Sequence, residues 1–98
     1  MKILIVDDDN SKIEKILSCI LSSSSVSREE IDTAFTIFEA KSKLRETAYD
    51  LLILDIVIPF RAGEAAKSEN SEALLIELRD RSILKKPSHI IGLSLIHI

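Results

Sequence analysis

The sequence predicts an α/β domain, a parallel β-sheet covered by helices on both faces. Three observations carry that expectation. Continuous apolar runs at 3–6, 51–54 and 89–91, rich in Ile, Leu and Val, read as strands buried on both faces. Between the first two lies a stripe of Ile13, Ile16, Leu17, Ile20 and Leu21, spaced i, i+3, i+4, i+7, i+8 as on one side of an α-helix. The whole chain then alternates β-α-β-α-β-α-β, the order that gives a parallel sheet with right-handed crossovers.

Each element follows in turn. Strand one is 3–6. Helix one spans 11–25, capped by Asp9 or Asn10 and stopped by the serines at 22–25, which are poor helix formers. Residues 31–35 form a shorter strand. Thr36 followed by Glu39 matches a capping box, opening a helix over 37–47 with Ile37, Ala40, Leu44 and Ala48 on its apolar side. Strand three is 51–55. Pro59 and Gly63 then break the chain, and the polar stretch 61–71 reads as a mobile loop. Leu74, Leu75 and Leu78 mark a helix over 71–81. Lys85-Lys86-Pro87 turns the chain into a fourth strand that begins at His89.

Composition narrows the function. The chain has 98 residues, enough for one small domain, and 46% are apolar, enough for a core. A net charge of -3 argues against a general nucleic-acid or anionic-membrane binder. The single cysteine, Cys19, excludes an intrachain disulfide and suits a reducing compartment, so a cytoplasmic location is expected. Cys19 is expected to pack at the flank of the first helix. The apolar runs are too short to span a bilayer. Two glycines leave no room for a P-loop or a dinucleotide fingerprint. His89 and His97 lack zinc-ligand spacing.

The informative feature is acidic. Strand one runs directly into Asp7, Asp8 and Asp9, and strand three ends on Asp55. Ligands of open α/β sheets sit beyond the carboxyl ends of the strands, where the strand order reverses. If strands one and three are neighbours, Asp7, Asp8 and Asp55 converge on one rim. Each acid then raises the pKa of the others unless a cation neutralises them. Mg²⁺ suits such a pocket, being hard, oxygen-seeking and content with one or two carboxylates plus water and phosphate. The plain alternative for Asp7 and Asp8 is a pair of solvated acids at a helix start.

The chain resembles the receiver domain of two-component response regulators. The likeness rests on the strand-ending LIVDDD, on LLILDIVIP with its aspartate four residues before proline, and on the β/α order, and it covers 1–92. It implies a flavodoxin-like doubly wound sheet. It implies Asp55 as phosphoacceptor, Asp8 as a direct Mg²⁺ ligand, Asp7 as a ligand largely through water, and the Val57 carbonyl as a further ligand. Asp9 falls outside that set and is expected at the helix N-terminus, favourable with its dipole. The implied reaction moves a phosphoryl group from a phosphohistidine of a sensor kinase, or from a phosphotransfer protein, to Asp55. The acyl phosphate is later hydrolysed, and a downstream effector domain reads the state.

Two departures qualify the likeness. The segment FRAGEAAKSENSEA after Pro59 replaces a short turn and lies where it would tune access to the pocket, if it is more than a solvated insertion. The fifth strand, its phosphate-pairing lysine and the last helix are not present; Lys85 and Lys86 precede the fourth strand. The final LSLIHI reads like a translated library adapter, so 93–98 is expected to be a non-native tail. The receiver's switch hydroxyl would fall on Ser94, inside that tail. A chain ending there is expected to leave an apolar sheet edge open, and to be marginally stable or poorly phosphorylated.

Two other readings stand beside this one. A pseudo-receiver would keep the fold as a docking module without phosphorylation, as the missing lysine suggests. A haloacid-dehalogenase-like phosphohydrolase would use the D-x-D of Asp7 and Asp9, but it leaves the Asp55-x-x-x-Pro59 motif unexplained and has Asn10-Ser11 where a small residue and Thr are usual.

Overall fold

The computed structural model describes residues 1–80 and 83–93. Strand β1 (Ile3–Val6) leads into helix α1 (Asn10–Ser23), and a 3-10 turn at Arg28–Glu30 precedes β2 (Ile31–Ala34). Helix α2 (Ile37–Glu46) and strand β3 (Leu51–Asp55) follow. A small hairpin of β4 (Ile58–Pro59) and β5 (Ala66–Lys67) runs into α3 (Ser68–Arg79), and β6 (His89–Leu93) closes the order. The main sheet is parallel throughout, in the order β2-β1-β3-β6. From β1 the chain steps outward to β2, then crosses back to β3 on the other side. The order therefore reverses between β1 and β3.

Strand alternation sorts the apolar side chains into two layers. Leu4, Val6, Leu52 and Leu54 face α2 and α3 and pack with Ile37, Ala40, Leu44, Leu74 and Leu78. Ile3, Ile5 and Ile53 face the other way and meet Ile13, Leu17, Ile16 and Ile20 of α1. The central strands β1 and β3 are covered on both faces, which is why they read as unbroken apolar runs. Each buried Ile or Leu contributes roughly 1.5–3 kcal/mol relative to exposure.

Helix ends follow local chemistry. The Asp9 carboxylate accepts from the amides of Ser11 and Lys12, so Asp9 is the α1 cap. At the far end the Ser23 and Ser24 hydroxyls donate to the Cys19 and Ile20 carbonyls, satisfying acceptors the helix leaves open. At α2, Thr36 Oγ1 accepts from the Glu39 amide at 3.1 Å, while the Glu39 carboxylate reaches back to the amide of Phe35 rather than Thr36.

Several expectations need correction. Residues 61–71 are not one loop: Ile58 and Pro59 pair antiparallel with Lys67 and Ala66, and α3 already starts at Ser68. Gly63, at φ +87°, takes the turn position that needs a positive φ, closing the hairpin with the Glu64 amide on the Arg61 carbonyl. Cys19 and Leu21 are exposed rather than packed, because the inward stripe of α1 runs through Ile13, Leu17 and Ile20 and passes them by. Leu93 closes β6, in register with Asp55. Ser94 and the rest of the expected tail lie outside the described residues, as does Arg81. On β6, Ile90 and Ile91 are 36% and 48% exposed, so this side of the sheet is thinly covered among the described residues.

Candidate metal and phosphoacceptor site

Parity and register build the site. Val6 pairs with Leu54 across β1 and β3, so the next residues, Asp7 and Asp55, leave adjacent strand ends side by side. Both continue the odd-numbered faces, Ile3-Ile5-Asp7 and Leu51-Ile53-Asp55, which look toward α1. The Asp7 amide donates to the Ala34 carbonyl and the Ile56 amide to the Leu93 carbonyl, carrying both ladders one residue past the strands. The rim is thus fixed by backbone pairing on either side of the point where strand order reverses, the place where open α/β sheets bind ligands.

One carboxylate oxygen from each of Asp7, Asp8 and Asp55 lies within 4.8 Å of the others. Asp7 is fully buried and Asp55 is 2% exposed, whereas Asp8 opens to solvent. One Asp7 oxygen, Oδ1, accepts from the Asp9 amide at 2.9 Å, which locks the turn into α1. The other, Oδ2, and Asp55 Oδ1 are buried and receive no hydrogen bond. Buried charged oxygens without donors cost free energy unless a cation meets them. Burial, and then repulsion from Asp7, push the Asp55 carboxyl above its ordinary pKa, against the opposing pull of Lys12 and the backbone at Val57. Val57 itself is half-buried in the β3–β4 connection. The three acids the sequence singles out are therefore brought together, and Asp9 stands apart as the helix cap.

Lys12 is the residue the sequence reading passed over. From the first turn of α1 its Nζ reaches 3.1 Å from Asp7 Oδ2 and 3.5 Å from Asp55 Oδ1. Both contacts are ion pairs. Burial lowers the Lys12 pKa, but the two carboxylates outweigh it and the net shift is upward. A signal was present. Lys12 stands four residues before Ile16 and eight before Ile20, both packed toward the sheet, so it extends the inward stripe of α1 to the rim.

Two polar side chains of α3 hold the connection after Asp55. The Ser71 hydroxyl donates to the Ile56 carbonyl and also reaches the Ser68 carbonyl at 3.1 Å. The Asn70 amide donates to the Ile58 carbonyl at 2.8 Å. The hairpin beyond is tied to α2: the Phe38 amide donates to the Phe60 carbonyl, and the Arg61 guanidinium lies 4.5 Å from the centre of the Phe38 ring. It lies against the start of α2 rather than standing free in solvent.

Comparison with known proteins adds one relative. The chain is 37% identical over 94 residues to "Uncharacterized protein y4jS" of Sinorhizobium fredii (strain NBRC 101917 / NGR234). The alignment covers 96% of this chain but 22% of the relative, so the chain spans less than a quarter of that protein's length. No family model and no solved structure matches the chain. Among the described residues, no helix is long and apolar enough to cross a membrane.

Proposed function

We propose that this chain is a phosphoacceptor receiver domain of two-component signalling, taking a phosphoryl group from a histidine kinase or phosphotransfer protein onto Asp55. The observation that carries the reading is the meeting of Asp7, Asp8 and Asp55, with two buried oxygens lacking donors, at the switch point of a doubly wound sheet. The principal strands in the order 2-1-3-4 agree with a flavodoxin-like sheet. Hard oxygen donors of this number fit Mg²⁺, with Asp7, Asp8, Asp55 and the backbone at Val57 as its holders. When bound, Mg²⁺ offsets charge on the transferring phosphoryl oxygens.

The chain's own residues do the rest. Asp55, almost wholly buried at the rim, supplies the attacking carboxylate. Buried Asp7 fixes the turn through the Asp9 amide and holds negative charge beside Asp55. Exposed Asp8 keeps one side of the rim open to water and to a donor's imidazole phosphate. Ser71 and Asn70 hold the loop that receives the product. A cytoplasmic setting agrees with the free thiol of Cys19.

Beryllofluoride, a phosphoryl mimic, tests the reading. With Mg²⁺ it is expected to perturb the resonances of Asp55 and its neighbours, and Asp55→Asn is expected to abolish the effect. A complex centred on Asp7 supports a hydrolase instead, and no complex at all favours a docking module.

A further inference from the structure

Resting on the divalent-cation reading of the rim, we infer that Lys12 is a tethered counter-ion seated between Asp7 and Asp55 where the divalent cation binds, so that metal binding requires its displacement. The two oxygens that lack hydrogen-bond donors, Asp7 Oδ2 and Asp55 Oδ1, are the two that the Lys12 ammonium approaches, at 3.1 and 3.5 Å. A divalent ion held at that rim, by Asp55 and Asp8 directly and by Asp7 through water, would fill the space that the ammonium takes between Asp7 and Asp55. Two cations in that space would also repel each other.

The seat is built to be vacated. Lys12 lies on the first turn of α1, and its side chain is 20% exposed, against 0% and 2% for the two carboxylates. Its four-carbon stem is flexible, so the ammonium can swing out to solvent without moving the backbone. The ammonium neutralises only part of the charge on three acids, leaving a rim that still attracts a divalent ion. Lys12 therefore keeps the metal-free fold from carrying bare buried carboxylates, and it weakens metal affinity by the fraction of molecules in which it has already left.

The test is Mn²⁺ binding, followed by electron paramagnetic resonance, on the unsubstituted chain and on Lys12→Met and Lys12→Gln. The neutral variants are expected to bind about tenfold more tightly, as they would if the open arrangement were a minor one. They are also expected to melt lower than the unsubstituted chain in EDTA and to gain more from Mg²⁺. A variant that folds only when Mn²⁺ is added is the extreme of the same result. In the unsubstituted chain, Mg²⁺ is expected to move the Lys12 Cε–Hε cross-peak toward those of solvated lysines. Equal or weaker Mn²⁺ affinity in both variants, or an unmoved cross-peak at saturating Mg²⁺, overturns the role of Lys12 and leaves the cation site standing. Absence of Mn²⁺ binding in all three chains overturns both.

Discussion

Asp7 and Asp55 leave adjacent parallel strands side by side, almost wholly buried, with carboxylate oxygens within 4.8 Å of each other. Two like charges so placed strain the metal-free fold, and Lys12 offsets the strain only in part. Replacing Asp55 by Asn keeps the shape and removes one charge. In EDTA at neutral pH, Asp55→Asn is expected to be more stable than the unsubstituted chain by about 1–2 kcal/mol. Mg²⁺ is expected to raise the melting temperature of the unsubstituted chain and to do little for the variant. Denaturant unfolding with and without Mg²⁺ reads both effects; a variant less stable in EDTA contradicts the strain.

Ser71 holds the loop after Asp55 from within α3, and it is 3% exposed. Losing its hydroxyl leaves the Ile56 carbonyl short of a donor. Ser71→Ala is expected to cost about 1–2 kcal/mol in urea unfolding, while Ser68→Ala, at the half-buried start of the same helix, stays within about 0.5 kcal/mol. Equal effects would show that Ser71 does not hold the connection.

Glu30 sets a separate pH response. The Met1 ammonium, then the Ser27 amide, hold the Glu30 carboxyl down at about 2, and the Met1 ammonium is itself raised by Glu30. A depressed carboxyl stabilises the fold above its unfolded value of 4.5, and that contribution fades as pH falls toward about 2. A raised ammonium stabilises it below 8.0, and that contribution fades as pH rises through the shifted value. With a free N-terminus, the stability lost in Glu30→Gln is expected to be largest between pH 5 and 8. It should shrink on either side and weaken in high salt. A deficit that is flat from pH 3 to pH 9 refutes the pairing.

Much of this was legible in the chain itself, because strands buried on both faces and an amphipathic helix leave strong period signals. The runs at β1 and β3, the stripe of α1 and the Thr36 cap of α2 all fall within a residue or two of the observed elements, although the reciprocal half of the box goes to Phe35. The alternating β/α order put Asp7 and Asp55 at the carboxyl ends of parallel strands, but only the strand order β2-β1-β3-β6 makes β1 and β3 neighbours and brings the two acids together. What escaped lay in polar sequence. Ile58 pairs with Lys67 across a turn that depends on Gly63, and two-residue strands carry no period. Ser71 and Asn70 look like loop residues until α3 turns them onto the Ile56 and Ile58 carbonyls. Lys12 was hidden by its charge. A lysine on an inward stripe reads as a break in the pattern, although here it is the stripe's polar end.

The most direct test is phosphorylation by acetyl phosphate, followed by intact-protein and peptide mass spectrometry. At whatever rate it proceeds, the account expects a single added phosphoryl group on Asp55, requiring Mg²⁺, abolished by EDTA and absent from Asp55→Asn. No labelling in the presence of Mg²⁺, labelling that persists in Asp55→Asn, or labelling indifferent to EDTA would contradict it.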